Sequence, residues 1–300
     1  MLQVQENNCK IEGILSEVDL KYGTFKKNGS DVKSVGGVIK ILVKQEINKV
    51  LTELEIPVHM FASEFTNAGA KNPAFESIER VMNEYTSIAA SDGDKADRVR
   101  ITRGTIQMNE YYGQNGNLVS FPRVSASFVS KIKKEDCKPT AEFSVNFVVG
   151  SMGYETDKEG VETGRYKIMG ILPQYGGKVD VIPFYAINPG VIEGVSSNWS
   201  NGDTVKAVGK LNFTSRTETI TKEVDFGEPT EETRTVSVSE LILTGGSATP
   251  LEGDFAFNSS DIEAALKDRQ ARLAAAKEKS ADKANKSDAP KTNKFANLGF

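Results

Sequence analysis

The sequence predicts a mainly β protein in which a set of five short strands occurs twice, each set closing into a small barrel. The first set carries a helical insertion, and a flexible, partly helical tail follows the second. Three observations lead there. Most of residues 9–247 are short β-branched and aromatic runs broken by Gly, Asn and Pro. Four short segments recur later in the chain in the same order. From Ser260 onward the composition shifts to Ala, Lys and Glu.

The recurring segments pair Ile11–Leu15 with Ile168–Leu172, Gly37–Ile41 with Gly177–Val181, Asp97–Arg100 with Asp203–Lys206, and Val124–Ser127 with Val236–Ser239. A glycine inside such a strand lets it bend, as small barrels require at their corners. The first copy is read as holding a longer loop near residues 19–36 and a helix near 73–85. Asn72 can cap that helix, Pro73 suits its first turn, and Phe75, Ile78, Val81, Met82 and Tyr85 fall on one face. In the second copy an Asn-Gly turn at Asn201-Gly202 leads into a strand where Lys206, Lys210 and Asn212 alternate with Val205, Ala207 and Leu211, and Gly209 permits a bulge. The expected division is 1–150 for the first barrel, 160–250 for the second and 251–300 for the tail. Five strands with a helix between the third and fourth describe an oligonucleotide/oligosaccharide-binding (OB) barrel. A sandwich of Greek keys uses the same strands, because sequence supplies strands and not their pairing.

Composition removes several classes of function. With 37 basic and 41 acidic side chains the formal charge is −4, so an anionic partner must be met by a local patch. The first ten residues, MLQVQENNCK, lack the basic and apolar regions of a signal peptide, and no apolar run is long enough to span a membrane. Cys9 and Cys137 have no metal-ligand spacing and fit a reducing compartment, so the expected location is cytoplasmic. The single histidine, His59, lies in an apolar run and reads as a partly buried structural residue. No phosphate-binding GxxxxGK[ST] loop is present. The expectation is a non-enzymatic protein without cofactor or metal.

Binding of a polyanion is better supported. A single nucleic-acid strand needs cations along its backbone and aromatic faces for its bases. The first copy offers Lys21, Tyr22, Phe25, Lys26, Lys27 and Lys33 in its first loop, then Lys40 and Lys44 on one face of its second strand. Its later hairpin adds Arg98, Arg100, Tyr111, Tyr112 and Arg123. The second copy contributes Lys206, Lys210 and Trp199, the tryptophan fitting a core plug as well as a stacking platform. The stretch from Arg216 to Arg234 holds three basic and six acidic residues and should repel phosphate.

The order IEGIL, NPAF, ETGRYKI, YGGKVDVIPF, GDTVKAVGKLNF, LTGGS, PLEGDFAF across the chain resembles the single-stranded-DNA-binding proteins encoded by phages of Gram-positive bacteria. The resemblance implies an OB-fold protein that coats single strands in replication or recombination. The alternative is a virion structural or assembly protein that uses the barrels for packing. From Lys267 the tail has nine Lys/Arg against four acids, unlike the acidic tail of bacterial members, but it ends on an apolar tip. That tip, with Phe295, Leu298 and Phe300, is a candidate docking motif for replication or recombination proteins. The tail is expected to be dispensable for folding, with its helix after Ser260 exposed.

Overall fold

A computed structural model describes residues 2–91, 93–113, 115–222 and 230–287, with side chains left undescribed at 215–236 and 282–287. The fold is mainly β, as expected. The first five strands are β1 (Asn7–Lys27), β2 (Ser30–Ile47), β3 (Val50–Ser63), β4 (Arg98–Tyr112) and β5 (Leu118–Ser125). They pair in the cyclic order β1-β2-β3-β5-β4-β1, antiparallel throughout except for the short parallel β3–β5 contact. A three-residue strand, β6 (Ser130–Ile132), pairs with the start of β4. Strands β7 (Thr140–Thr156), β8 (Glu162–Gln174), β9 (Lys178–Ala186), β10 (Thr204–Lys222) and β11 (Thr230–Gly246) repeat the cycle as β7-β8-β9-β11-β10-β7, again with one parallel contact, β9–β11. A ladder between β1 and β7, from Asn7↔Val145 to Glu12↔Thr140, joins the two rings into one sheet of 11 strands.

Two expectations shift. The boundary at 150 falls inside β7, which pairs with β8 and β10 of the second ring and also with β1 of the first. The long loop near 19–36 is instead a β-ribbon, because β1 and β2 stay paired from Ile14↔Leu42 out to Lys27↔Ser30. Its tip is Asn28-Gly29, both with positive φ (50° and 82°), the backbone that a tight two-residue hairpin demands. At the base of the ribbon, Gly13 is needed for a different reason: a Cβ there would sit 2.3 Å from the Leu42 carbonyl oxygen.

Each ring places a helix between its third and fourth strands. In α1 (Pro73–Glu84) the Asn72 side chain accepts a hydrogen bond from the Ala74 amide, and Phe75, Ile78 and Val81 are buried, as the spacing predicted. The second ring holds α2 (Pro189–Asn198), capped in the same way by Asn188 and burying Ile192 and Val195. One core runs through both rings. At its second-ring end Phe147 stacks on Phe184 at 4.6 Å and meets Trp199 edge to face, with ring centroids 6.0 Å apart. The expected bulge is also present, since the register between β10 and β11 shifts between Val208 and Gly209.

The last element, α3 (Ser259–Ser287), corrects the reading of an exposed helix. Ile262 and Ala265 are about 5% and 4% exposed and form a second small core with Leu2, Val148, Ile171 and Val179. The i, i+3 spacing of those two residues gives the helix one narrow apolar stripe, and the outside of the second ring covers it. Phe295, Leu298 and Phe300 lie outside the described residues. Ile262→Ala should therefore lower the unfolding free energy by about 2–4 kcal/mol in urea titrations. A truncation after residue 258 should lower it further; a midpoint unmoved by truncation would show that the helix does not dock.

Candidate nucleic-acid interface

Strand alternation builds a groove on the outside of the first ring. In β3 the side chains of Leu54, Ile56, Val58, Met60 and Ala62 point into the core, so His59 and Phe61 point out. The β4–β5 ladder does the same, burying Ile106 and Val124 and turning Thr105, Gln107, Arg123 and Ser125 outward. Parallel pairing of His59 with Ser125 brings the two outward rows together. The result is a groove of about 680 Å³ whose lining includes Gly37, Val38, His59, Phe61, Arg103, Gln107, Arg123 and Phe128.

Its aromatic surface is open. Phe61 is 62% exposed and Phe128 56%, while Phe25 (36%) reaches from the ribbon to within 5.9 Å of the Phe61 ring. Its cations are uncommitted. Among the described residues no carboxylate pairs with Arg103 or Arg123; Arg123 makes one long contact, 3.4 Å, to Gln107 Oε1, and its buried Nε has no hydrogen-bond partner. Burial, followed by the positive charge of Arg123, lowers the His59 pKa, so the imidazole is neutral at neutral pH.

The residues expected from sequence to bind nucleic acid divide. Arg123 lines the groove, half-buried, and the exposed Phe25 packs beside Phe61 on its wall; Tyr111 is 48% exposed further along β4. Lys21 and Lys26 are exposed on the ribbon, and Lys27 donates to Asn67 nearby. Tyr22 instead donates to Glu79 of α1, and Lys33 sits 5.0 Å over the Tyr22 ring and 5.5 Å over Phe75. These two fasten the ribbon to the helix. Lys40 is held by Glu17 at 2.6 Å and Glu55 at 3.8 Å, and Lys44 by Glu53 at 2.9 Å. Arg98 donates to the Ala96 carbonyl. Tyr112 is half-buried, and its carbonyl accepts from Ser280 of α3.

Other expected residues already have partners within the protein. Arg100 grips Glu12 with two hydrogen bonds, 2.8 and 3.2 Å, and serves a buried carboxylate rather than the groove. Trp199 is 3% exposed and donates to the Ser247 carbonyl, so it plugs the core and stacks on no base. Lys206 pairs with Glu6 at 2.8 Å, and Lys210 donates to the Glu46 carbonyl at 2.6 Å. His59, Phe61, Arg103 and Phe128 were missed. Read as one apolar run, Ile56–Phe61 hides its faces; read with period two, it puts His59 and Phe61 opposite Val58 and Met60.

The matching position of the second ring is already filled. Arg165 lies 4.3 Å over the Tyr185 ring, between Glu155 (3.2 Å) and Glu240 (2.7 Å). A phosphate arriving there would have to displace a carboxylate.

Residues 5–279 match the model of the YorF family, and the chain belongs to that family. Two solved structures of the single-stranded DNA binding protein from Thermus aquaticus are similar to it. The wild-type structure has 10% identity and a TM-score of 0.48, over 85% of this chain and 97% of that one. A deletion mutant of the same protein has 11% identity and a TM-score of 0.45, over 84% and 97% of the two chains. No curated protein matches the sequence.

The Glu12–Arg100 pair yields a pH test. The hydrogen bond from Arg100 holds the folded Glu12 pKa below its ordinary 4.5, against the opposing effect of burial. The folded chain thus binds this proton less readily than the unfolded chain. Its stabilisation is complete above the ordinary value and is lost as pH falls through the depressed one. In Arg100→Ala only burial and weaker donors remain, so that acid-linked contribution shrinks. Urea unfolding at about pH 7 and about pH 3 should show a larger deficit for the variant at the higher pH. Equal deficits would mean that the pair is not coupled.

Proposed function

We propose that the protein binds single-stranded DNA along the outer groove of the first ring, with little sequence preference and without chemistry on the strand. One observation carries the reading: three exposed phenylalanines, Phe25, Phe61 and Phe128, stand beside two arginines that no carboxylate neutralises among the described residues. Unstacked bases need such faces, and the phosphates between them need such cations. The cyclic strand order, with a helix between the third and fourth strands, is the arrangement we read as two OB-type barrels. In that fold the second and third strands, with the loops after the first and fourth, form the binding surface. The ribbon carrying Phe25 and the β4–β5 hairpin carrying Arg123 occupy those loop positions.

Residues 1–139 and 140–250 are then the two barrels, and the second acts mainly as scaffold. A role in coating strands during replication or recombination, in a phage setting, follows from the resemblance of the strand order to phage proteins. The tip at Phe295, Leu298 and Phe300 remains the proposed hook for protein partners.

Fluorescence anisotropy with single- and double-stranded oligonucleotides at two salt concentrations tests the reading. Phe61→Ala should weaken single-strand binding by about 1–3 kcal/mol, the worth of one stacked base. Arg103→Ala with Arg123→Ala should flatten the plot of log affinity against log salt by about 1.4, two contacts at about 0.7 each. Lys40→Ala should change the slope little, since Glu17 and Glu55 already hold that lysine. A wild-type protein that binds duplex as well as single strands, or neither, sinks the proposal. Salt-insensitive self-association would point to the packing role instead.

A further inference from the structure

The β4–β5 hairpin outruns the ring that contains it. From Ile106 to Tyr112, β4 pairs only with β5, and Leu118–Arg123 of β5 pair only with β4. A two-stranded ribbon in water is marginal by itself. Its two faces have different neighbours. Gln107 and Arg123 lie on the groove side. Met108, Glu110 and the Tyr112 carbonyl meet the second ring and α3: the Met108 amide donates to Asp180 Oδ2 at 2.9 Å, Glu110 is ion-paired with Arg269, and Ser280 Oγ donates to the Tyr112 carbonyl at 3.5 Å.

The central contact is shielded from water. The side chains of Glu110 and Arg269 are 11% and 16% exposed, whereas the pairs Lys40–Glu17, Lys44–Glu53, Arg100–Glu12 and Lys131–Asp97 each have a partner more than a third exposed. The helix that brings Arg269 is anchored one to two turns earlier by Ala265 and Ile262. It is therefore fixed before it reaches the hairpin. Asp180, its pKa raised chiefly by burial, feels Arg269 and Arg272 as well as Glu110, so the charges of α3 balance both acids behind the hairpin.

We infer that α3 is a buttress for the groove, with Arg269 a positioning residue that holds the β4–β5 hairpin, and so Gln107 and Arg123, in the binding geometry without touching the strand. This rests on the proposed function for its consequence, though not for its geometry. The C-terminal helix then becomes a handle on affinity. Anything that competes for Arg269, or lifts the helix, loosens the wall of the groove from behind.

The test uses the full-length chain as Arg269→Ala, as Glu110→Gln, and as the swap Arg269→Glu with Glu110→Arg. Without oligonucleotide, amide hydrogen exchange at 106–112 and 118–123 should quicken about tenfold or more in both single variants, while 178–186 keeps its protection. The swap should restore part of it. Single-strand affinity should fall at least about fivefold, within the usual range of coupling between sites, with the salt slope unchanged. Unaltered hairpin exchange overturns the inference. So does a salt slope reduced by about 0.7, which would make Arg269 a phosphate contact. If exchange responds as expected but the wild type binds no oligonucleotide, the buttress stands and the functional reading falls. Should Arg269→Ala fail to fold, Glu110→Gln, which keeps the shape of the side chain, decides by the same two readouts.

Discussion

The ladder between β1 and β7 is the constraint on which the rest of the molecule depends. From Cys9 to Glu12, β1 is paired on one side to β4 and on the other to β7. One short stretch of backbone thus closes the first ring and ties it to the second. Where strands diverge around that seam, side-chain amides replace the missing ladder bonds. Asn7 both donates to the Ile106 carbonyl and accepts from the Ile106 amide, each at 2.9 Å. Gln45, 6% exposed, donates to the Ala141 and Leu211 carbonyls and accepts from the Ala141 amide. Each such amide satisfies backbone groups that burial would otherwise leave unpaired, at roughly 1–3 kcal/mol per group. The continuous core follows, because rings stitched in this way leave no solvent layer between them.

The two rings share a template and differ in what their outer faces do with charge. In the first, the lysines on the β2 face are neutralised by carboxylates directly across or one step along the ladder, as Glu17↔Lys40 and Lys44↔Glu53 show. The groove arginines escape this pairing. In the second, Glu155 and Glu240 hold Arg165 on the corresponding face. A chain with net charge −4 can therefore present one cationic groove without a basic field over its whole surface.

Much of this architecture was legible. Strand content, the α1 helix with its Asn-Pro cap, and the Gly209 bulge follow from local chemistry. The internal repeat was seen, but two of its four segment pairs slipped in phase while the fourth- and fifth-strand pairs correspond. Ile11–Leu15 lies in the first strand of its ring and Ile168–Leu172 in the second strand of the other; Gly37–Ile41 lies in a second strand, whereas Gly177–Val181 opens a third. Short apolar runs bent at a glycine recur in any small barrel, so they do not fix position. The segments opening the fourth strands, at Asp97 and Asp203, do correspond. So do the caps Asn72-Pro73 and Asn188-Pro189, a signal that would have revealed α2. That helix was hidden because it is only ten residues long and Gly190 and Gly194 weaken its propensity. The site was harder to see for a related reason. Lysines advertise themselves in a sequence, whereas the carboxylate that silences each one is set by cross-strand register.

The exposed rings of Phe25, Phe61 and Phe128 make the final step. Folding gains nothing from leaving them in water, and the interior is not short of space for aromatics, since Phe143, Phe147, Phe184 and Phe213 are buried in the same continuous core. Their positions are fixed by elements that have other work to do. Phe25 rides a ribbon pinned to α1 through Tyr22 and Lys33, and Phe61 follows from the alternation that buries Met60 and Ala62. The hairpin opposite them is braced by α3. Three separate devices hold apolar faces and free arginines around one groove before any ligand arrives, which is the condition for binding a floppy polymer without spending its affinity on ordering the protein.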